Sequence, residues 1–278
     1  MSDLDAASIA RAIAASGGAP RPIVVAASTV STNDDAKVAA STGAPDGAAF
    51  LAEAQTAGRG RGGHTWHSPP AQNLYLSVVV RPRVPAASLA PVTLAVGVAV
   101  ADVLAARVGE RAVVAVKWPN DVLAGGRKLA GVLVEGQLRG GEVSSLVVGL
   151  GVNVHAMEFP PELAERATSL AILGVDDRGR DRSELASELI QAIDGAVRRF
   201  EEHRLAGFAS AFARRDALLG QAVDVAGVRG VAVGIDAEGR LLVRGAGGEI
   251  TPVVSGEVIA ADSACAAGAS RGKLPPSP

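Results

Sequence analysis

The chain has 278 residues, 48% of them hydrophobic, enough to bury a sizeable core as one large domain with a small one, or as two modest domains. Charged residues are 20% of the total and nearly cancel to a formal −2, which excludes a general electrostatic attraction to nucleic acid or to an anionic membrane. Any polyanion must be met by a local cluster of basic groups, and the single cysteine, Cys265, excludes an intrachain disulfide and fits a reducing compartment.

At the N-terminus, residues 4–16 predict a short Ala-rich helix. Asp3 and Asp5 stand where a signal peptide needs basic residues, and Arg11 interrupts any apolar run, so no signal peptide is expected. Residues 22–27 predict a strand. A helix is expected to start at Ser31-Thr32-Asn33, with capping-type side chains followed by Asp34 and Asp35 against the helix dipole.

Apolar runs at 48–53 and 74–80 predict strands on either side of a Gly-rich segment. From Val84 to Ala101 the chain is uncharged for 18 residues, at the threshold of a membrane span. Pro85 and Pro91 break it, Ser88 and Thr93 dilute it, and Asp102 ends it, so a buried helix over 88–107 is expected instead.

Strands are then predicted at 112–118, 128–138 and 143–154, with Gly125-Gly126 and Gly140-Gly141 at the turns. Connections this short cannot be parallel crossovers, so these strands are antiparallel neighbours. Residues 181–203 carry Leu185, Leu189, Ala192, Ile193, Val197 and Phe200 at helical spacing, an amphipathic helix for that sheet. From about Asp216, short β-type runs at 222–226, 230–235, 240–244 and 249–254 alternate with Gly turns, the pattern of a small β-barrel. Residues 263–278, rich in Ala, Gly, Ser and Pro, predict a disordered tail. The expected organisation is an α+β domain over 1–215, with a mixed, mainly antiparallel sheet, then a β-domain over 216–262.

Four segments could carry chemistry. The first is Gln55-Thr56-Ala57-Gly58-Arg59-Gly60-Arg61-Gly62-Gly63-His64-Thr65-Trp66, with four glycines and two arginines in six consecutive residues. Glycine lets the backbone approach a ligand and present N–H groups, and arginine offers a planar fork for phosphate or carboxylate. Such a loop reads as mobile when empty and ordered by an anion, but composition alone equally fits a solvated loop. An RNA-binding segment of the RGG type is a third reading, disfavoured by the flanking strands.

The second is Lys117-Trp118-Pro119-Asn120-Asp121, which places a cation, an amide and a carboxylate at a strand end. It suits a polyphosphate with its metal, or a plain turn. The third is Arg127-Lys128-Leu129-Ala130-Gly131, where Lys128 is either an edge lysine or a cation aimed into the same anionic pocket. The fourth, Gly149-Leu150-Gly151-Val152-Asn153-Val154, lacks the third glycine and the following helix of a dinucleotide-binding turn, so a nicotinamide cofactor is not expected. There is no G-x-x-x-x-G-K-[ST] loop, and His64, His67, His155 and His203 show no metal-ligand spacing.

Taken in this order, Ser31-Thr32-Asn33, Gln55 to Arg61 with Trp66, Asn73-Leu74-Tyr75-Leu76-Ser77, Lys117 to Asp121, Lys128 to Gly131 and Gly149 to Asn153 resemble the biotin–protein ligase family. The resemblance spans about residues 26–260. It implies the fold shared by biotin and lipoate ligases, followed by an SH3-like domain. It also implies a two-step reaction, in which biotin carboxylate attacks the α-phosphate of Mg-ATP and a lysine of a biotin carboxyl carrier domain then takes the biotinyl group. The acceptors implied are acyl-CoA or pyruvate carboxylases, and the location implied is the cytoplasm.

By the same resemblance Ser31, Thr32 and Gln55 hydrogen-bond the ureido head of biotin, supported by Asn33. Arg59, Gly60 and Arg61 fold over the carboxylate and α-phosphate, where Lys128 also reaches, with Gly131 beside them. Arg59 and Lys128 are the implied catalytic groups. Asn120 and Asn153 are expected near adenine, Lys117 and Asp121 near phosphate and Mg²⁺. No tightly bound cofactor is expected, and the chain is expected to be a monomer or weak homodimer.

Some members of that family begin with a DNA-binding helix-turn-helix. Only thirty residues precede Ser31, so operator binding is not expected. In the small domain the family's Gly-Glu-Ile stands as Gly256-Glu257-Val258, and Ala260-Ala261 replace an arginine that some members carry. Two rival readings remain beside this one: a lipoate-type ligase and a non-catalytic biotin sensor.

Overall fold

A computed structural model describes residues 2–85, 89–139 and 142–260. Ser88, Gly140-Gly141, Ala261, Cys265 and the expected tail over 263–278 lie outside the described residues. The chain divides into two compact units, one running to Ala217 and including Ala237–Gly239, the other holding Leu218–Asp236 and the chain from Arg240.

The first unit contains α1 (Ala6–Ala15), β1 (Ile23–Ala26), α2 (Thr32–Ser41), β2 (Ala49–Ala52), β3 (Asn73–Val80), α3 (Leu89–Val108), β4 (Val114–Lys117), β5 (Asp121–Ala124), β6 (Arg127–Arg139), β7 (Glu142–Asn153), α4 (Pro161–Ala164), α5 (Arg182–His203) and α6 (Ala209–Arg215). Seven strands form one sheet in the order β1-β2-β3-β7-β6-β5-β4. Only β1 and β2 run parallel, because α2 supplies the crossover between them; every other pair is antiparallel.

Two expectations need correction here. Residues 121–124 form a strand of their own, so Asp121 begins β5 instead of ending a turn, and β4 starts only at Val114. Gly125 and Gly126 both take positive φ, 57° and 79°, which turns β5 directly back into β6. The Trp118–Pro119 peptide before β5 is cis.

Alternation along β3, β7 and β6 divides the sheet into two faces. Leu74, Leu76 and Val78 face one way with Val148, Leu150 and Val152, all at most 3% exposed, and α3 and α5 cover this side. By length and composition α3 could cross a membrane. Here its Val92, Leu94, Val96, Val98, Val100 and Leu104 are all at most 2% exposed, as expected of a core helix. The other face receives α2, whose Ala36 and Ala40 pack on Ala48, Val79 and Val147.

Buried Arg182, at the start of α5, fastens the N-terminal segment. Its guanidinium pairs with Asp3 at 2.6 Å and Glu53 at 2.7 Å. Burial opposes the Asp3 carboxylate, but hydrogen bonds from Arg182 and His155 outweigh it and hold the pKa at about 2.

The second unit is a five-stranded antiparallel sheet of β8 (Ala222–Val225), β9 (Val228–Ile235), β10 (Leu241–Arg244), β11 (Ile250–Val253) and β12 (Val258–Ala260), in the order β11-β10-β9-β8-β12. Its last strand was not expected from sequence. Val223, Val225, Ala232, Leu241, Val243 and Val253 form its core.

Candidate functional site

On the α2 face, three sheet positions that would normally project side chains are glycines. Gly131, Gly149 and Gly151 lie in register across β6 and β7, with Gly131 opposite Gly151 and Leu133 opposite Gly149. They leave a shallow floor, and neighbours occupy the space. A Cβ on Gly149 would sit 2.1 Å from Asn33 Oδ1, and one on Gly151 2.4 Å from Trp66 Cε2. On Gly131 it would meet Trp66 at 3.0 Å and Lys128 Cε at 3.2 Å.

The start of α2 lies against this floor. Ser31, Thr32 and Asn33 are at most 4% exposed, an unusual burial for three polar residues, so their groups must be satisfied internally. Ser31 is the N-cap, yet its hydroxyl makes no capping bond; its carbonyl accepts from Asp34 and Asp35 N–H. Thr32 N–H donates to Gln55 Oε1 at 2.9 Å, and Ser77 Oγ lies 2.8 Å from Thr32 Oγ1 and 2.6 Å from Asn33 Oδ1. Asn33 Nδ2 donates to Glu135 at 2.7 Å.

The glycine-rich segment is a hairpin folded on itself. Arg59 bridges Thr65, Gly60 N–H donates to His64 O at 2.7 Å, and Trp66 N–H to Gly58 O at 2.9 Å. Gly62 and Gly63 turn its tip with φ of 67° and 83°, conformations that side chains disfavour. The hairpin lays Trp66 over the glycine floor.

Charge is concentrated where hairpin, floor and α2 meet. Arg59 pairs with Asp34 at 2.7 Å and with Glu135 at 3.1 Å, and Lys37 pairs with Glu135 at 2.9 Å. The hydrogen bond to Asp34 raises the Arg59 pKa further, against partial burial. Burial alone would raise the pKa of Asp34 and Glu135; hydrogen bonds from Arg59 and Lys37 to Asp34, and from Asn33 and Lys37 to Glu135, lower both instead. Arg61 is half-buried, and desolvation lowers its pKa despite the field of Asp121. Lys128 Nζ lies 2.7 Å from Asp121 Oδ1 and 5.1 Å from the centre of the Trp66 ring.

The structure therefore brings Ser31, Thr32, Asn33, Gln55, Arg59, Gly60, Arg61, Lys128, Gly131 and Asp121 to one region of one face. Lys117 faces Asp121 in register across the β4–β5 hairpin. Asn120 and Asn153 hydrogen-bond the backbone nearby. Asn120 Nδ2 donates to Val132 O at 2.9 Å, and buried Asn153 Nδ2 donates to Thr168 O at 2.9 Å and Lys128 O at 3.3 Å. Through these bonds both amides brace the backbone of β6, which carries Lys128.

For Mg²⁺, the described residues contain no cluster of three or more acidic, His or Cys groups. The single carboxylate of Asp121, paired with Lys128, fits an ion held mainly by phosphate oxygens and water.

Sequence reasoning assigned no role to Glu135, Ser68, Ser77 or the Trp66 ring. Glu135 was detectable: it shares a strand face with Gly131 and is an isolated acid within an apolar run. Ser68 and Ser77 carried no such signal, because their partners are remote in sequence.

Residues 25–153 match the biotin/lipoate A/B protein ligase family, and residues 218–260 match the biotin protein ligase C-terminal domain. A biotin–[acetyl-CoA-carboxylase] ligase of Mycobacterium tuberculosis is 36% identical over 264 residues, covering 92% of this chain and 95% of that protein. The enzyme of the same name from Paracoccus denitrificans is 34% identical over 232 residues, 81% of this chain and 96% of the relative. The biotin protein ligase of Aquifex aeolicus, solved in complex with biotin and ATP, superposes with a TM-score of 0.73 at 30% identity, covering 86% of this chain and 97% of that one. With both units matched and relatives aligned over nearly their whole length, this chain belongs to the biotin protein ligase family.

Proposed function

We propose that this protein is a ligase that uses ATP to activate biotin as biotinyl-5′-AMP and then transfers the biotinyl group to a lysine of a biotin carboxyl carrier domain. The observation that supports the reading is that Lys128 and the glycine hairpin of Arg59 and Arg61 come together at Trp66 and Asp121, on the face where buried Ser31 and Thr32 lie against half-buried Gln55.

The ureido head of biotin needs donors and acceptors together, which hydroxyl and amide groups provide. Its carboxylate, directed toward the hairpin, meets the α-phosphate among Arg59, Arg61 and Lys128, with Gly60 N–H and Gly131 allowing close approach. The carboxylate oxygen bonds to phosphorus and pyrophosphate leaves. The acceptor lysine amine then attacks the acyl carbon, releasing AMP. Two anions must meet at bonding distance, so fixed positive charge lowers the barrier without a covalent enzyme intermediate. A hairpin closed over the mixed anhydride excludes the water that would hydrolyse it.

In this reading Lys117 and Asp121 attend the phosphates, Asp121 beside Mg²⁺, and Asn120 and Asn153 position β5, β6 and Lys128 near the nucleotide. Residues 1–215 form the catalytic domain and 216–262 an SH3-like domain. The acceptor is the carrier domain of an acyl-CoA or pyruvate carboxylase, met in the cytoplasm. Biotin-dependent exchange of label between pyrophosphate and ATP tests the first step, and transfer of biotin to an isolated carrier domain tests the second. Exchange driven by lipoate and not by biotin would overturn the assignment.

A further inference from the structure

Gln55 and the hairpin are joined by a side chain that no role above uses. Gln55 Nε2 lies 3.0 Å from Ser68 Oγ, and Ser68 Oγ lies 3.0 Å from Trp66 O. The direction of this chain is unambiguous. Thr32 N–H is a backbone donor, so the atom of Gln55 that it meets at 2.9 Å must be the carbonyl oxygen, and the amide nitrogen must face Ser68. That nitrogen only donates, so Ser68 Oγ accepts from it. The hydroxyl proton of Ser68 is then directed to the Trp66 carbonyl, which can only accept. Thr32, Gln55, Ser68 and Trp66 form one polarised relay from α2 to the hairpin.

The relay closes around Gly58, which is itself buried. A Cβ there would lie 2.4 Å from Ser68 Oγ, 2.8 Å from Trp66 O and 2.9 Å from Gln55 Nε2. Ser68 is therefore held between the residue expected to read the ligand head and the turn that lays Trp66 on the floor. Trp66 N–H also closes the hairpin on Gly58 O at 2.9 Å.

We propose that Ser68 is a positioning residue: it fixes the amide of Gln55 for a cyclic urea and makes occupation of that pocket and order in the glycine hairpin a single equilibrium. With one Nε2 hydrogen held by Ser68, the other is directed away from it, available to a urea carbonyl. Without the Ser68 hydroxyl, the half-buried amide is held at its oxygen alone, and the hairpin loses its hydrogen-bonded link to Gln55. The inference rests on the biotin reading above.

The test uses the full chain with free biotin as probe. Ser68→Ala is expected to weaken biotin binding by calorimetry roughly three- to tenfold, the worth of one oriented hydrogen bond. The KM for ATP is expected to stay within about twofold. Biotin alone is expected to slow tryptic cleavage at Arg59 and Arg61 in the wild type, and to lose most of that protection in Ser68→Ala. Ser68→Thr, which keeps the hydroxyl, is expected to restore both. Unchanged affinity in Ser68→Ala, parallel rises for biotin and ATP with a lowered urea midpoint, or no recovery in Ser68→Thr would each overturn the role. A wild-type chain that fails to bind biotin would instead overturn the functional reading, so the two failures are distinguishable.

Discussion

Substituting Gly149 by alanine adds one methyl group to the sheet floor, and its cost can be worked out from its neighbours. The new Cβ would stand 2.1 Å from Asn33 Oδ1 and 2.8 Å from both Asn33 Cγ and Nδ2, so Asn33 must leave its site. Leaving breaks the bond from Ser77 Oγ at 2.6 Å and the bond to Glu135 at 2.7 Å. A neutral hydrogen bond is worth about 1 kcal/mol and one to a carboxylate about 2 kcal/mol, so Gly149→Ala is expected to destabilise the large unit by about 3 kcal/mol. For a chain of this size that lowers Tm by roughly 6–12 °C.

Because Asn33 follows Ser31 and Thr32 in one turn, biotin affinity should fall as well. Urea unfolding and calorimetric biotin binding measure the two effects. Asn33→Ala removes the obstacle, so Gly149→Ala should cost at least 1 kcal/mol less in that background. Gly195, exposed in α5 with nothing near its would-be Cβ, provides the control: Gly195→Ala should stabilise by about 0.5–1 kcal/mol through helix propensity. A Gly149→Ala protein with wild-type stability and affinity, or costs that simply add with Asn33→Ala, would refute the reasoning.

Three further outcomes are expected. Lys128→Ala should remove on the order of 10²–10³ from biotin-dependent pyrophosphate exchange, with little loss of stability because its pair with Asp121 is partly exposed; unchanged turnover would take Lys128 out of the reaction. Gly151→Ala should displace Trp66 from the floor, read as a change in tryptophan emission together with weaker ligand binding; an unaltered spectrum would argue against the ring lying there. The Asp3 pKa, about 2 in the folded chain against 3.8, is depressed, so its contribution is complete above the unfolded value and lost as pH falls from about 4 to about 2. The shift corresponds to about 2 kcal/mol, and Asp3→Asn should flatten that acid limb of urea-unfolding stability; an identical limb in the variant would show another group responsible.

Much of the arrangement was legible because local signals coincide with tertiary roles. Ser31-Thr32-Asn33 reads as a helix start from side-chain type alone, and the glycines between Gln55 and Trp66 read as a turn wherever they occur. The helix at 182–203 shows its buried stripe directly in its spacing. Strand β5 was obscured because Asp121–Ala124 is four residues long and follows Pro119, so turn chemistry dominated. The pair Gly125-Gly126 held the missing signal, since a two-residue turn with positive φ requires a strand on each side. Strand β12, with three residues, is too short for alternation to register.

At the site, residue type indicated which cations matter but not what holds them. Nothing local to Arg59 announces Asp34 and Glu135, 25 and 76 positions away, and nothing local to Asn153 announces the carbonyls of Lys128 and Thr168. These partners exist only once register is set.

A floor made of backbone constrains how this pocket can be remodelled. Gly131, Gly149 and Gly151 have no side chains left to trim, so every substitution at these three positions can only make it shallower. Enlarging it for bulkier acids must come from other side chains, such as those on the opening turn of α2 or on the arm that carries Trp66. Selection for altered acid preference should accumulate changes there and leave the three sheet positions untouched.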